Sequence, residues 1–155
     1  MDGGEGVRVR EAVPADAFSV GALHIQDERE RGGVVPPGFL DRFADAWLRD
    51  RARRTWLVED ARGRPLGALH GTRVQKLPSP HRPADAWFHV SLLYVTADAR
   101  GAGLGELLLR ALLDWARTDG VTRVQLDAVD EARTLYERMG FGPPSDRLME
   151  LRLDA

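Results

Sequence analysis

Residues 87–117, WFHVSLLYVTADARGAGLGELLLRALLDWAR, decide how this chain folds, because they join two apolar segments of different period through a glycine-rich break. Trp87 to Val95 is a short run of aromatic and branched residues, which reads as a buried strand. After the break, Leu104, Leu107, Leu108, Ala111, Leu112 and Trp115 recur at helical spacing and Gly120 marks a stop, so an amphipathic helix is expected with these residues facing the core. Between them stand Gly101, Gly103 and Gly105. The first N–H groups of a helix have no intrahelical partner and carry partial positive charge, and glycines without Cβ leave them open to an anion. A phosphate or pyrophosphate is the ligand this predicts, although a tight strand-to-helix turn would use the same residues.

The segments on either side extend the pattern. VRVR (7–10) alternates as a half-buried strand does, and PADAFSVGALHIQDE (14–28) places Phe18, Ala22 and Ile25 on one helical face. FLDRFADAWLRD (39–50) spaces Phe39, Phe43 and Trp47 by four, giving a second helix after a Gly/Pro-rich loop. TWLVED and LGALHGTRV flank the turn-like ARGRP, which predicts an antiparallel hairpin, and the three prolines of QKLPSPHRPAD exclude a central strand there. After the leucine-rich helix, VTRVQL reads as a strand, DEARTLYERM as a helix with Asp130 as N-cap and Gly140 just past its end, and RLMELRL (147–153) as a last strand. The order is βααβββαβαβ, an α/β domain with a mixed sheet. Residues 1–6 are expected to fray and 7–155 to form a single domain.

Composition removes several classes of function. The chain has 155 residues, 43% hydrophobic and 30% charged, with a formal net charge of −2. That balance offers phosphate backbones and anionic membranes no global attraction, so neither a nucleic-acid nor a membrane partner is expected. Without cysteine there is no thiolate nucleophile, disulfide or Cys-based zinc site, and no metal site is expected. No segment reads as a signal peptide or membrane span, which places the protein in the cytoplasm.

Two phosphate-binding motifs fail on inspection. A nucleoside-triphosphate loop needs Gly-Lys-Ser/Thr where Glu106 and Leu107 follow Gly105, and a dinucleotide loop needs a third glycine where Glu106 stands. What remains is R-x-x-G-x-G between an apolar strand and an amphipathic helix. LLYVTADARGAGLGELLLRALLDWA resembles the central motif of the GCN5-related N-acetyltransferase (GNAT) superfamily, and ARTLYERMGF resembles its following A-x-x-L-Y-E-x-x-G-F segment. VREAVPADA and RLMELRL are similar to its first and last strands, so the likeness covers nearly the whole chain.

The resemblance implies a mixed, mainly antiparallel central sheet flanked by helices, whose splayed central strands form an acyl-CoA cleft. Backbone groups of Leu93, Tyr94 and Val95 would hold the pantetheine arm. Arg100 and the amides of Gly101, Ala102, Gly103, Leu104, Gly105 and Glu106 would hold the pyrophosphate of acetyl-CoA. The implied reaction is direct acetyl transfer to a primary amine of a small molecule or a peptide, with Tyr136 as the acid that protonates the departing thiolate. A base must remove a proton from the amine. Asp127, at the position of a family glutamate, and His89, on the central strand, are the two candidates, and alternation from Leu93 through Ser91 puts His89 on the face of those two. Many members carry an Asn seven residues before the tyrosine, where this chain has Val129. That departure leaves room for a second reading, a non-catalytic module binding acyl-CoA as a regulatory ligand. The acceptor amine has no signature in the sequence, and a homodimer, common among members, is left open.

Overall fold

The computed structural model describes residues 6–83 and 85–154; the expected fraying of 1–5 lies outside them. Strand β1 (Arg8–Glu11) leads through a 3-10 turn into helices α1 (Ala17–Glu30) and α2 (Phe39–Arg49). Strands β2 (Arg53–Glu59), β3 (Pro65–Lys76) and β4 (Asp85–Val95) follow, then α3 (Leu104–Thr118), β5 (Val121–Gln125) and the short α4 (Arg133–Arg138). The sheet order is β1-β2-β3-β4-β5, antiparallel except for the parallel β4–β5 pair, which α3 connects. This is the mixed, mainly antiparallel architecture the sequence implies.

Each face of the sheet has its own core. Trp56, Val58, Leu69, Phe88 and Val90 pack against Leu104, Leu108, Leu109 and Leu112 of α3 and Tyr136 of α4. On the other face, Leu57, Ala68, Leu92 and Tyr94 meet Val20 and Leu23 of α1 and Ala44 and Trp47 of α2. Two helical faces are rotated from the expected ones. In α3, Leu109 is buried and Leu107 is 42% exposed, because the side facing the sheet runs through 104, 108, 112 and 116. In α1, Phe18 is 55% exposed while Ala17, Val20, Gly21 and Leu23 are buried. Gly21 fixes that orientation: a Cβ there would come within 2.7 Å of the Leu40 side chain, so α2 closes on α1 only over a glycine.

Two terminal expectations are corrected. Asp130 caps nothing with its side chain; a 3-10 turn, Asp130–Ala132, precedes α4 instead. RLMELRL joins no ladder. Residues 147–154 pair with no strand, and β5 keeps β4 as its only partner among the described residues. Leu148, Met149, Leu151 and Leu153 are consequently exposed, Met149 by 91%.

Candidate active site

The site is made by two faults in the sheet. The β4–β5 ladder runs from Ala86↔Val121 to His89↔Gln125 and stops, whereas β4 stays paired with β3 up to Val95. From Val90 to Val95 the side of β4 facing β5 therefore has no neighbouring strand, and Leu93, Tyr94 and Val95 lie along that open edge. The second fault is a bulge: His70 pairs with Leu92 and Gly71 with Val90, which leaves Ser91 as an extra residue. A bulge shifts alternation by one, so Phe88 and Val90 face α3 while Leu92 and Tyr94 face α1. Unbroken alternation would put all four on one face. His89 therefore points away from the face that Leu93 shares with α3, contrary to the sequence expectation, and the cause is Ser91.

Gly71 permits this close crossing. A Cβ on it would sit 2.3 Å from the His89 carbonyl oxygen and 2.5 Å from the Phe88 ring.

At the open end of β4 the chain enters the glycine loop. Gly101 (φ 85°) and Gly103 (φ 76°) are both left-handed, so the turn itself demands glycine at these positions. Space in front of both is nevertheless empty, with no atom within 4 Å of where a Cβ would lie. Gly105 differs: it is helical, and a Cβ there would meet the Leu135 side chain of α4 at 3.4 Å, an ordinary van der Waals contact. The first helical bond runs from Leu107 N–H to Gly103 O at 3.1 Å, so the amides of Leu104, Gly105 and Glu106 have no helix partner and open onto that space. The glycines thus serve the turn and expose its donors together.

Arg100, the cation of this loop, is already engaged. Its Nε donates to the Val95 carbonyl at 3.0 Å, and its guanidinium pairs with Glu30 at the end of α1. The Tyr94 hydroxyl donates to the same carboxylate at 2.5 Å. Tyr94 and Arg100 together hold the Glu30 carboxyl below the usual glutamate range, while burial and the Glu30 charge push the Tyr94 phenol up to about 12. Sequence alone marks Glu30 only as one of several acidic residues able to attract a cationic amine; it reaches the glycine loop because α1 packs at the end of β4.

Tyr136 lies on the α3 side of the opening. It is 7% exposed and meets Phe141 edge to face with ring centroids 5.7 Å apart. Burial raises its phenol above the ordinary value, with the Arg31 charge opposing, so it stays protonated through neutral pH. Its hydroxyl has no hydrogen-bond partner among the described residues. His89 and Asp127 lie on the other side. His89 is half-buried where β4 and β5 part, its ring 6.4 Å from that of Trp87. Val124, Leu126 and Ala128 pack toward α3, which leaves the exposed Asp127 on the His89 side. The structure thus brings His89 and Asp127 to one side of the strand opening and Tyr136 to the other. Val129, where many relatives have Asn, is extended and partly exposed at the start of the 3-10 turn.

A sequence profile of the acetyltransferase (GNAT) family covers residues 22–141. The chain belongs to the GNAT family. It is 31% identical over 149 residues to a mycothiol acetyltransferase of Beutenbergia cavernae, which covers 92% of this chain and 47% of that protein. It is 32% identical over 78 residues to a glucosamine 6-phosphate N-acetyltransferase of Trypanosoma brucei brucei, covering 50% of this chain and 53% of that one. The chain thus spans about half the length of the curated relatives it matches. A predicted acetyltransferase from Clostridium acetobutylicum, solved with acetyl-CoA, has the same fold, with a TM-score of 0.78 at 17% identity over 95% of this chain and 96% of that one. Among the described residues no helix is long and apolar enough to cross a membrane.

A cluster on the α1/α2 side escaped the sequence reading. Trp47 Nε1 donates to Thr55 Oγ1 at 3.0 Å, and Thr55 Oγ1 lies 2.9 Å from His70 Nδ1. The His70 ring meets His24 at 5.8 Å, and His24 meets Phe43 at 4.8 Å. Burial first, then the His24 and Arg53 charges, lower His70 to about 4, against a smaller opposing pull from Asp50. Five residues on four elements carry no common spacing, which is why only the fold reveals them.

Proposed function

We propose that the protein transfers an acetyl group from acetyl-CoA to a primary amine. The observation that carries this reading is continuity: the free amides at the start of α3 lead directly into the unpaired edge of β4, a diphosphate cradle joined to a strand edge that pairs with an amide-bearing pantetheine arm. The amides of Gly101 to Glu106 bind the diphosphate. Backbone groups of Leu93, Tyr94 and Val95 bind the arm as an added strand would, which puts the thioester near the bulge at Ser91.

The chemistry then divides between the two sides of the opening. His89 accepts a proton from the acceptor ammonium, since an alkyl amine with an ordinary pKa near 10 is mostly charged at neutral pH. The amine nitrogen attacks the thioester carbonyl, the C–N bond forms, and the C–S bond breaks as the tetrahedral intermediate collapses. Its electron pair leaves on sulfur, the Tyr136 hydroxyl gives the thiolate its proton, and the second proton lost from the attacking nitrogen as the amide forms restores the Tyr136 phenol through solvent. Asp127 is the alternative base, with its shorter reach and exposed position counting against it.

Calorimetric titration with CoA, followed by thiol release from acetyl-CoA in the presence of a panel of amines, tests the reading. Binding and amine-dependent thiol release are expected. CoA binding without turnover on any amine would favour a regulatory acyl-CoA module, and no heat with CoA would defeat both.

A further inference from the structure

Resting on the acetyl-transfer reading above, we propose that the acceptor carries an oxyanion, a carboxylate or a phosphate, on the far end from its amine, and that Arg123 of β5 binds it. The residues that follow His89 toward the start of β4 form a row. Asp85, Trp87 and His89 share one side of the strand, and neither Trp87 nor His89 belongs to the packed core of either face. The Arg123 guanidinium lies over the Trp87 ring, 5.6 Å from its centroid, and Trp87 meets His89 edge to face. At the Asp85 end of the row lies a cavity of about 470 Å³ lined by His81, Arg82, Pro83, Asp85, Thr122 and Arg123.

Charge in this cavity is unbalanced. Asp85 is occupied, with Oδ1 accepting from the Thr122 hydroxyl at 2.9 Å and Oδ2 facing Arg82 at 3.5 Å. Arg123 has no anionic partner among the described residues, so one full positive charge is left over. The Trp87 indole N–H is closed off from solvent with no acceptor, an arrangement that costs free energy unless something supplies one. A ligand oxyanion in this cavity pairs the free guanidinium, and drawing Arg123 off the Trp87 ring uncovers the indole beneath it.

Distance sets the size of the acceptor and separates this site from the CoA loop. At roughly 3.3 Å per strand residue, Trp87 lies about 7 Å and Asp85 about 13 Å from His89. Val95, where the glycine loop begins, is about 33 Å from Asp85 by the same measure, at the opposite end of β4. An amine at His89 therefore places an oxyanion on Arg123 when some 7–13 Å separate the two groups. A peptide-like or small amino acid with that span fits, and a short neutral amine does not.

The test compares acetylation of ω-aminohexanoate, ω-aminooctanoate and aminohexyl phosphate with that of the matched ω-amino carboxamides. Charged acceptors are expected to exceed their carboxamides in kcat/KM by about tenfold or more, chiefly through KM, as a charge-assisted contact implies. R123Q should erase the preference, bringing kcat/KM of the charged acceptors to that of their carboxamides, and R123K should retain it. The carboxylate and phosphate arms show which oxyanion is preferred. Equal rates for charged and neutral acceptors, or a preference that survives R123Q, would overturn the assignment while the transferase reading stands. Failure of every amine to react would instead remove that reading, and this assignment with it.

Discussion

Acidification from about pH 7 to about pH 5 is expected to weaken the fold through His70. Its imidazole titrates near 6.5 when free and is lowered to about 4 here. In this window the unfolded chain takes up a proton that the folded one refuses, so stability falls as pH falls, beginning near the free value and ending near the folded one. Integrating the two titrations gives a loss of ~1.8 kcal/mol between these pH values, or roughly 4–7 °C in Tm for a chain of this length. His24, also lowered by burial, adds in the same direction. The window is chosen because Asp and Glu, free near 4, begin to protonate mainly below it. H70N keeps a group that can accept from Thr55 Oγ1 but cannot titrate, so its stability should fall less than that of the wild type between the two pH values, the remaining slope coming from His24. Urea unfolding at each pH measures this. Equal pH-dependent losses in wild type and H70N would show that the Thr55–His70–His24 cluster is solvated and refute the burial account.

Three further outcomes bear on the cleft. G103V forces a branched side chain into a left-handed position, costing roughly 1–2 kcal/mol or more, and should abolish the thermal stabilisation that CoA gives the wild type; retained stabilisation would remove the amide cradle. Y136F should lower kcat well beyond its effect on CoA affinity, and an unchanged kcat would reduce Tyr136 to packing. E30Q should tighten CoA binding several-fold at low salt by releasing Arg100 toward the diphosphate, an effect weakened by added salt; calorimetry showing equal or weaker binding would mean that Glu30 holds Arg100 in its working position.

Elements with a strong period were legible in the sequence. The hairpin of β2 and β3, the crossover α3 and the strand β4 lie where alternation and helical spacing put them, within a few residues. Which side of a helix is buried was harder to read, because α1 carries apolar residues all round and Gly21, not the largest side chains, decides the approach of α2. RLMELRL has the alternation of a strand, yet alternation describes one chain and a strand needs a second edge to pair with, which a one-residue pattern does not encode. Among the site residues, the glycine loop stood out through spacing and Tyr136 through the family resemblance, whereas Glu30, Thr55 and Arg123 each meet their partners only across separate elements.

Ser91 shows why this limit is physical. Alternation assigns His89 to the side of Leu93, and nothing in WFHVSLLYV marks the residue at which the register slips. The slip is set by β3: Gly71 leaves a gap that lets the β4 backbone crowd in at the His89 carbonyl, and pairing resumes one residue late at His70↔Leu92. The consequence is chemical as well as structural. With unbroken alternation His89 would face the α3 core beside Phe88's present neighbours, and its imidazole would be walled off from any amine. With the slip it stands opposite Tyr136 across the strand opening, next to Trp87 and Arg123. A G71A variant should therefore lose more than packing: the added Cβ pushes β4 away at the bulge, and acetyl transfer should fall further than the loss of folded protein explains. Activity that merely tracks the folded fraction, measured by near-UV circular dichroism on the same samples, would show that the bulge shapes the sheet without placing the base.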